Sequence, residues 1–373
     1  MSDVGRGRDL GLTVWPVRGV PEVVAGDDLA ELLIAGLRAS GLSVQNGDVL
    51  VVTSKVVSKA LGLRAPGADR RPAVARETVR IVAERATSDG PTRIVEGRCG
   101  VVAAAAGVDS SNTGPSGEIL LLPEKPDDVA ADLHARLAAL LPEVSRLGVI
   151  LSDTAGRPWR AGQIDFALGA HGLRVLDDHR GRRDADGRAL AVTAIAIADE
   201  LAAAADLVKG KSRGIAAALV RGAAQWVLPV DGTGADDPGT DDRWRDGAAR
   251  LIRTGPGDFF ALGHVEAARA ALGHPPGSAS SERIGIRAIG VEPLRTRVAR
   301  AVALALTDPS TGMVEFVGQV EVDHTVNLHC PDPYPAGRLA ARLEVALWSE
   351  GLTGSVTRTE AGLHLYIHAL TAP

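Results

Sequence analysis

The stretch "LSDTAGRPWRAGQIDFALGA" (Leu151–Ala170) continues the apolar run "RLGVIL" (Arg146–Leu151) and then turns abruptly polar. It holds Asp153, Asp165, Arg157, Arg160, Trp159 and Gln163 within a few residues of one another. The apolar run, with one glycine in it, reads as a buried strand. Gly156, Pro158 and Gly162 keep the polar part from being a simple helix. Polar groups gathered just past the carboxyl end of a strand are where mixed helix-and-sheet proteins commonly place ligands. The same residues also read as a surface loop in which Asp and Arg pair with each other, and the rest of the chain has to decide.

The pattern recurs elsewhere. "GDVLVVTSKVVSKALG" (Gly47–Gly62) opens with a turn and a β-branched run, then becomes polar and basic, which puts Ser54, Lys55 and Lys59 at the end of an apolar run. "RIVEGRCGVVAAAAGVDSSNTG" (Arg93–Gly114) alternates short apolar runs with glycines and ends in a Ser/Asn/Gly turn containing Asp109. Asp109 and Asp153, with Thr154, offer hard oxygen ligands of the kind Mg²⁺ or Mn²⁺ prefers, and such ions are usually held beside substrate phosphates. Ser54, Lys55 and Lys59 offer a hydroxyl and point charges to a nucleotide. Each residue alone is a loop residue. Their shared position after short strands points to one joint site.

The remaining segments give the organisation. "LTVWPV" (Leu12–Val17) reads as a strand and residues 28–40 as a helix capped by Asp27 or Asp28. Helices are predicted over 75–86 and 127–141, and a strand at "GIAAALVRG" (Gly214–Gly222). "ALAVTAIAIADELAAAADLVKGK" (Ala189–Lys211) is a long Ala-rich helix or a strand passing into one. "PVDGTGADDPGTDD" (Pro229–Asp242) reads as a mobile loop and "HPPGSASSER" (His274–Arg283) as a linker. Beyond it, helices at "RVARAVALAL" (Arg297–Leu306) and "AGRLAARLEVALWSEG" (Ala336–Gly351) alternate with strand material at "MVEFVGQVEVDHTVNLHC" (Met313–Cys330) and "GLHLYIHAL" (Gly362–Leu370). The predicted class is α+β: a first domain over 1–272, a linker over 273–283, and a small α/β domain over 284–373.

Several functions are disfavoured. A net charge of −5 gives no global case for nucleic acid or an anionic membrane. Two cysteines far apart in sequence are no disulfide framework and suit a reducing cytoplasm. "MSDVGRGRDLGLTVWPV" has no apolar run of signal-peptide length, and the most apolar long stretch is broken by Asp199, Glu200 and Asp206. "KGKS" (Lys209–Ser212) looks like the tail of a P-loop, but Ala205 stands where that motif needs glycine and a helix precedes it. It reads instead as a basic helix C-terminus whose lysines are placed to reach a phosphate. His324, His329, His364 and His368, with Cys330 beside His329, do not have the spacing of a zinc site.

Six blocks in order carry a resemblance. They are "GVPEVVAGDDLAELL" (Gly19–Leu33), "GDVLVVTSKVVSKALG", "AAAGVDSSNTG" (Ala104–Gly114), "SDTAGRPWRAGQIDFALGAHGL" (Ser152–Leu173), "DADGRALAVTAIAIADELAAAADLVKGK" (Asp184–Lys211) and "LIRTGPGDFFALG" (Leu251–Gly263). Together they resemble the coenzyme F-420-0:L-glutamate ligases, a family that includes CofE of archaea and the N-terminal part of FbiB of actinobacteria. The resemblance implies the family's own α+β fold, an intertwined homodimer, and a GTP-dependent amide ligase requiring Mg²⁺ or Mn²⁺. L-Glutamate is joined to coenzyme F-420-0, often followed by further γ-linked glutamates, with release of GDP and phosphate. By similarity Val20, Pro21, Glu22 and Val23 line the nucleotide, Ser54, Lys59 and Asn112 contact it, and Asp109, Asp153 and Thr154 hold the metal. Arg157 and Arg160 are expected to bind phosphate or substrate carboxylate, with Gln163 and Asp165 helping to position it, or to serve structure alone. FbiB continues into a flavin-binding domain. Here about ninety residues follow the linker, so FMN and reductase activity are not expected. Two other readings stay open: the same nucleotide chemistry on a different acceptor or amino acid, and a nucleotide-sensing or scaffold protein.

Overall fold

A computed structural model describes residues 11–111, 113, 117–230, 247–306, 325–328, 332–359 and 362–369. The chain divides into two compact units, residues 1–77 with 97–253 and residues 78–96 with 254–373. The expected boundary at 273–283 is therefore displaced. Residues 279–284 form a helix of the second unit, and an early segment, 78–96, joins that unit as well.

In the first unit the elements are β1 (Thr13–Val17), α1 (Leu29–Ala39), β2 (Asp48–Thr53), α2 (Ser54–Ala60), β3 (Arg64–Pro66) and α3 (Arg71–Glu77). After the segment that belongs to the other unit, β4 (Thr78–Thr87) and β5 (Gly90–Gly97), come β6 (Val102–Ala104), β7 (Glu118–Leu120), α4 (Pro126–Leu140), β8 (Leu147–Arg157) and β9 (Arg160–His171). β10 (Asp177–Asp178), β11 (Ala194–Ile195), α5 (Ile197–Lys209) and β12 (Ala217–Arg221) complete it. The segment 189–211 is thus the second of its two readings, a short strand passing into a helix.

Five strands form the central sheet in the order β1-β12-β2-β8-β9, with β2 and β8 parallel and the other pairs antiparallel. The middle strands read as unbroken apolar runs because both faces are covered. Leu50, Val52, Val149, Leu151 and Leu219 face a core shared with α1 and α4. Val49, Val51, Ile150, Ala218 and Val220 face α5 on the other side. α1 places Leu29, Ala30, Leu33, Ile34 and Leu37 on one stripe, and Asp28 caps it by accepting from the Ala30 and Glu31 N–H groups. α5 buries Ala198, Ala202 and Ala205, small side chains that let its backbone approach the sheet.

Two sequence expectations need correction. The residues after Leu151 are not a loop. β8 runs on to Arg157 because β9 pairs with it along its length, and only Pro158 and Trp159 turn the chain. Asp153 and Thr154 therefore stand inside a strand. The helix expected over 75–86 stops at Glu77. "TVRIVAERAT" is rich in β-branched residues and forms β4, which turns through Ser88–Asp89 into β5. The Asp89–Gly90 pair, with Gly90 at φ 107°, is the hairpin signal that competes with the helical pattern.

The second unit also holds α6 (His264–Ala271), α7 (Ala279–Ile284), α8 (Leu294–Leu306), β13 (Thr325–Leu328), α9 (Pro333–Ser349), β14 (Leu352–Thr359) and β15 (Gly362–Ala369). Its antiparallel sheet has the order β13-β15-β14, and Val298, Leu304, Leu339, Leu343, Leu352 and Ile367 form its core. The expected helices at 297–306 and 336–351 and the strand at 362–370 fall on α8, α9 and β15. β14 lies in a stretch given no element from sequence. Most of the loop expected at 229–242, and His324, His329 and Cys330, lie outside the described residues. No helix among the described residues is long and apolar enough to cross a membrane.

The adjoining ends of β12 and β2, inside the sheet, are tied by a charge pair. Arg221 grips the buried Asp48 with Nε–Oδ1 2.8 Å and Nη2–Oδ2 2.7 Å, and its guanidinium lies 5.3 Å from the Trp15 ring centre. Arg221→Met leaves a buried carboxylate without its cation. Urea unfolding should show a loss of roughly 2–3 kcal/mol, and a loss within error of zero would show that water replaces the pair.

Candidate functional site

One cleft of about 400 Å³ opens in the first unit. One wall is the loop Val20–Val23 before α1. Thr53, Lys55, Val56 and Lys59 supply another from the β2–α2 junction. Asp153 and Thr154 of β8 and Asp165 of β9 form the floor, and Asp206, Lys209, Lys211 and residues 214–216 close the far side.

Strand register assembles these residues. β2 and β8 run parallel with Thr53 opposite Ser152, so the next residues along, Ser54 and Asp153, are neighbours. Ser54 Oγ donates to Asp153 Oδ1 at 2.9 Å. On the other side of β8 the pairing with β9 slips by one residue, from Leu151↔Gly169 to Ser152↔Ala167. This bulge sets Thr154 directly opposite Asp165. Thr154 Oγ1 donates to Asp165 Oδ1 at 2.5 Å, and Asp165 Oδ2 accepts from Ser152 Oγ at 3.0 Å and Lys209 Nζ at 2.8 Å. Lys209 and Asp165 are both almost wholly buried, with 4% of each side chain exposed.

Asp109 comes from a strained connection. Ala105, Ala106 and Gly107 follow one another at φ 52°, 54° and 72°. Glycine suits the third position, where φ is left-handed and a Cβ would meet Leu122 Cδ1 at 2.3 Å and force that side chain to shift. The turn delivers Asp109 to Lys55, with Nζ–Oδ2 2.8 Å, and to the Ser111 N–H and hydroxyl.

The acids differ in how their charge is met. Glu22 pairs with Lys59 at 2.5 Å, Asp109 with Lys55 and Asp165 with Lys209. Burial works against the Asp109 charge, yet Lys55 and the Ser111 donors outweigh it and hold that carboxyl below the usual range. Among the described residues no ion pair reaches Asp153. Burial pushes its pKa up to about 6, the Ser54 hydroxyl and the Thr154 N–H work in the opposite direction, and the Asp109 and Asp165 charges add to the rise. A half-buried carboxylate lacking a cation, ringed by lysines committed to other acids, suits an incoming cation accompanied by a polyanion.

The donor set fits a hard divalent ion. Asp109, Asp153 and Thr154 are oxygen ligands of the right class. Among the described residues no group of three His, Cys, Asp or Glu side chains gathers to hold a metal. Two carboxylates and a hydroxyl make an incomplete shell that needs further oxygens from water and substrate phosphates, the usual arrangement for Mg²⁺ at nucleotides.

Most residues named from sequence meet here. Val20, Pro21, Glu22, Val23, Lys59, Asp153, Thr154 and Asp165 line the cleft. Ser54 is buried behind it on Asp153, and Asp109 lies beside it on Lys55. Arg157, Arg160 and Gln163 are not on its walls. They sit along the distal part of the β8–β9 hairpin, with Arg160 and Gln163 exposed and Arg157 Nη2 donating to the Ala161 carbonyl at 3.4 Å. Asn112 lies outside the described residues. Asp206 was missed in sequence. The structural place of Lys209, buried on Asp165, was missed too, although the "KGK" at the α5 terminus was the available signal.

Residues 19–222 match the sequence model of the family described as F420-0:Gamma-glutamyl ligase. A protein of Halobacterium salinarum named coenzyme F420:L-glutamate ligase is 42% identical over 217 residues, covering 53% of this chain and 81% of that one. Proteins of the same name from Archaeoglobus fulgidus and Methanopyrus kandleri are each 40% identical, over 224 and 227 residues, covering 56% and 57% of this chain and 87% of each relative. The family match covers more than half of the chain and contains every residue of the cleft, and the chain is a member of the F420-0:gamma-glutamyl ligase family.

Proposed function

We propose that this chain is a coenzyme F420:L-glutamate ligase that joins L-glutamate to the carboxylate of coenzyme F420-0 at the expense of GTP, with Mg²⁺ or Mn²⁺. The observation that supports this reading best is the cleft itself: a half-buried Asp153 that no ion pair reaches among the described residues, within a ring of four lysines, on the segment that matches the family.

The chemistry asks for such a site. A carboxylate is a poor electrophile, so its oxygen first attacks the γ-phosphorus of GTP, the bond to the GDP oxygen breaks, and an acyl phosphate forms. The glutamate amine then attacks the acyl carbon, phosphate departs, and the amine proton is lost to base. Lys59, fixed by Glu22, and the lysines beside it offer positive charge to the phosphates as negative charge moves onto the leaving oxygen. A divalent ion on Asp109, Asp153 and Thr154 would supply Lewis-acid stabilisation of that same charge. The Lys209–Asp165–Ser152 cluster, nearly buried at the base of the cleft, holds Thr154 in place.

Purified protein given GTP, Mn²⁺, L-glutamate and coenzyme F420-0 should yield product heavier by one or more glutamyl residues, with matching GDP release, by mass spectrometry. GDP release without glutamylation would point to another acceptor, and no GTP turnover would overturn the assignment.

Asp153→Asn should divide activity from stability. Turnover should fall on the order of 10³-fold, because a charge facing the phosphoryl transfer is gone. Stability should move the other way. A carboxyl raised to about 6 stabilises the fold while protonated, and that contribution is lost as pH rises from about 4 through about 6. In chelator at about pH 8, the variant should unfold at higher temperature, by the equivalent of about 1–3 kcal/mol. The two proteins should converge near pH 4. A variant less stable than wild type at pH 8 would contradict this electrostatic account.

A further inference from the structure

Two of the three oxygen ligands proposed above are already engaged by ammonium groups. Lys55 Nζ lies 2.8 Å from Asp109 Oδ2 and donates to the Ser111 hydroxyl at 2.6 Å and to the Ser111 carbonyl at 3.1 Å. Lys211 Nζ donates to Thr154 Oγ1 and stands 3.9 Å from Asp165 Oδ1. The Thr154 hydroxyl hydrogen is itself committed to Asp165 Oδ1, whose other oxygen is fixed by Lys209 and Ser152. Thr154 therefore presents lone pairs, not its proton, to Lys211. Those are the lone pairs a divalent ion would use.

An ammonium and a metal ion cannot both sit at contact distance on one such oxygen, since like charges repel strongly in a partly buried site. Neither lysine is trapped. Lys211 has 58% of its side chain exposed on the loop after α5, and Lys55 is on the solvent side of α2 with 17% exposed. Both line the cleft, so an ammonium leaving its oxygen stays within reach of whatever the cleft holds. The resemblance to the family assigns neither lysine a role.

We propose that Lys55 and Lys211 are exchangeable counter-ions of the metal ligands. Each holds a ligand oxygen until a divalent ion takes its place, and each is then released to the nucleotide phosphates. The proposal rests on the function proposed above and adds a consequence to it. Metal uptake and nucleotide uptake reinforce each other, because each removes a competitor or supplies a partner for the other.

The test measures Mn²⁺ affinity by electron paramagnetic resonance of free Mn²⁺, with a non-hydrolysable GTP analogue absent and then present. Wild type is compared with Lys55→Met, Lys211→Met and the charge-keeping Lys55→Arg and Lys211→Arg. Without nucleotide, the Met variants should bind Mn²⁺ about 3- to 10-fold more tightly than wild type, having lost the competitor. They should bind the analogue about 10-fold more weakly, and the mutual enhancement of the two ligands should shrink by a similar factor. The Arg variants should stay near wild type. Melting curves identify any variant whose fold is damaged, and Lys→Gln then replaces Lys→Met. Unchanged or weaker Mn²⁺ binding in folded Met or Gln variants would overturn the exchange while leaving the ligase reading intact. A wild type that takes up Mn²⁺ neither alone nor with the analogue would overturn both.

Discussion

The parallel, in-register pairing of β2 with β8 is the constraint on which the site depends. It makes Ser54 and Asp153 neighbours at the point where β2 gives way to a helix and β8 continues. The sheet buries both strands between two helical layers, so the polar residues at the ends of the apolar runs are held by a rigid core. The one-residue slip between β8 and β9 adds the second half, turning Thr154 toward Asp165. A shift of either register by one residue would send Asp153 or Thr154 to the opposite face of the sheet.

Electrostatics divide the acids of this cleft into two kinds. Glu22, Asp109 and Asp165 are answered by lysines of the same chain and keep the lysines in position. Asp153 is answered only by a hydroxyl and a backbone N–H, at a cost in stability that its raised pKa expresses. The left-handed backbone of Ala105 and Ala106, on the connection that brings in Asp109, is a separate, conformational strain. The second unit shows the contrast. Its buried Arg300 is bound by both Glu292 and Glu350, so that interior charge is satisfied by the chain alone.

Much of the site was legible because its signals are local. An apolar run ended by Ser-Lys or Ser-Asp-Thr announces a strand end bearing polar groups, and the six ordered blocks fixed the family. What escaped depends on contacts between distant residues. The continuation of β8 beyond Ser152 requires the partner strand that returns after Trp159, and glycines at 156 and 162 disguise it. The strand at 78–87 alternates weakly enough to pass for a helix until β5 is seen beside it. The joining of 78–96 to the C-terminal unit has no local signature at all. Lys209 looked like an ordinary basic helix end. Only the fold shows that its ammonium is buried on Asp165, fifty-seven residues from its other partner Ser152.

The central claim is that Asp153 is left without a cation by its own chain in order to receive one with a nucleotide. Isothermal titration of Mn²⁺ with a non-hydrolysable GTP analogue into wild type and Asp153→Asn tests it most directly. The account predicts joint uptake of metal and nucleotide by wild type and a loss of at least about 100-fold in metal affinity in the variant. Equal uptake by the two proteins would mean that the Asp153 carboxylate holds no cation, and that the cation binds elsewhere.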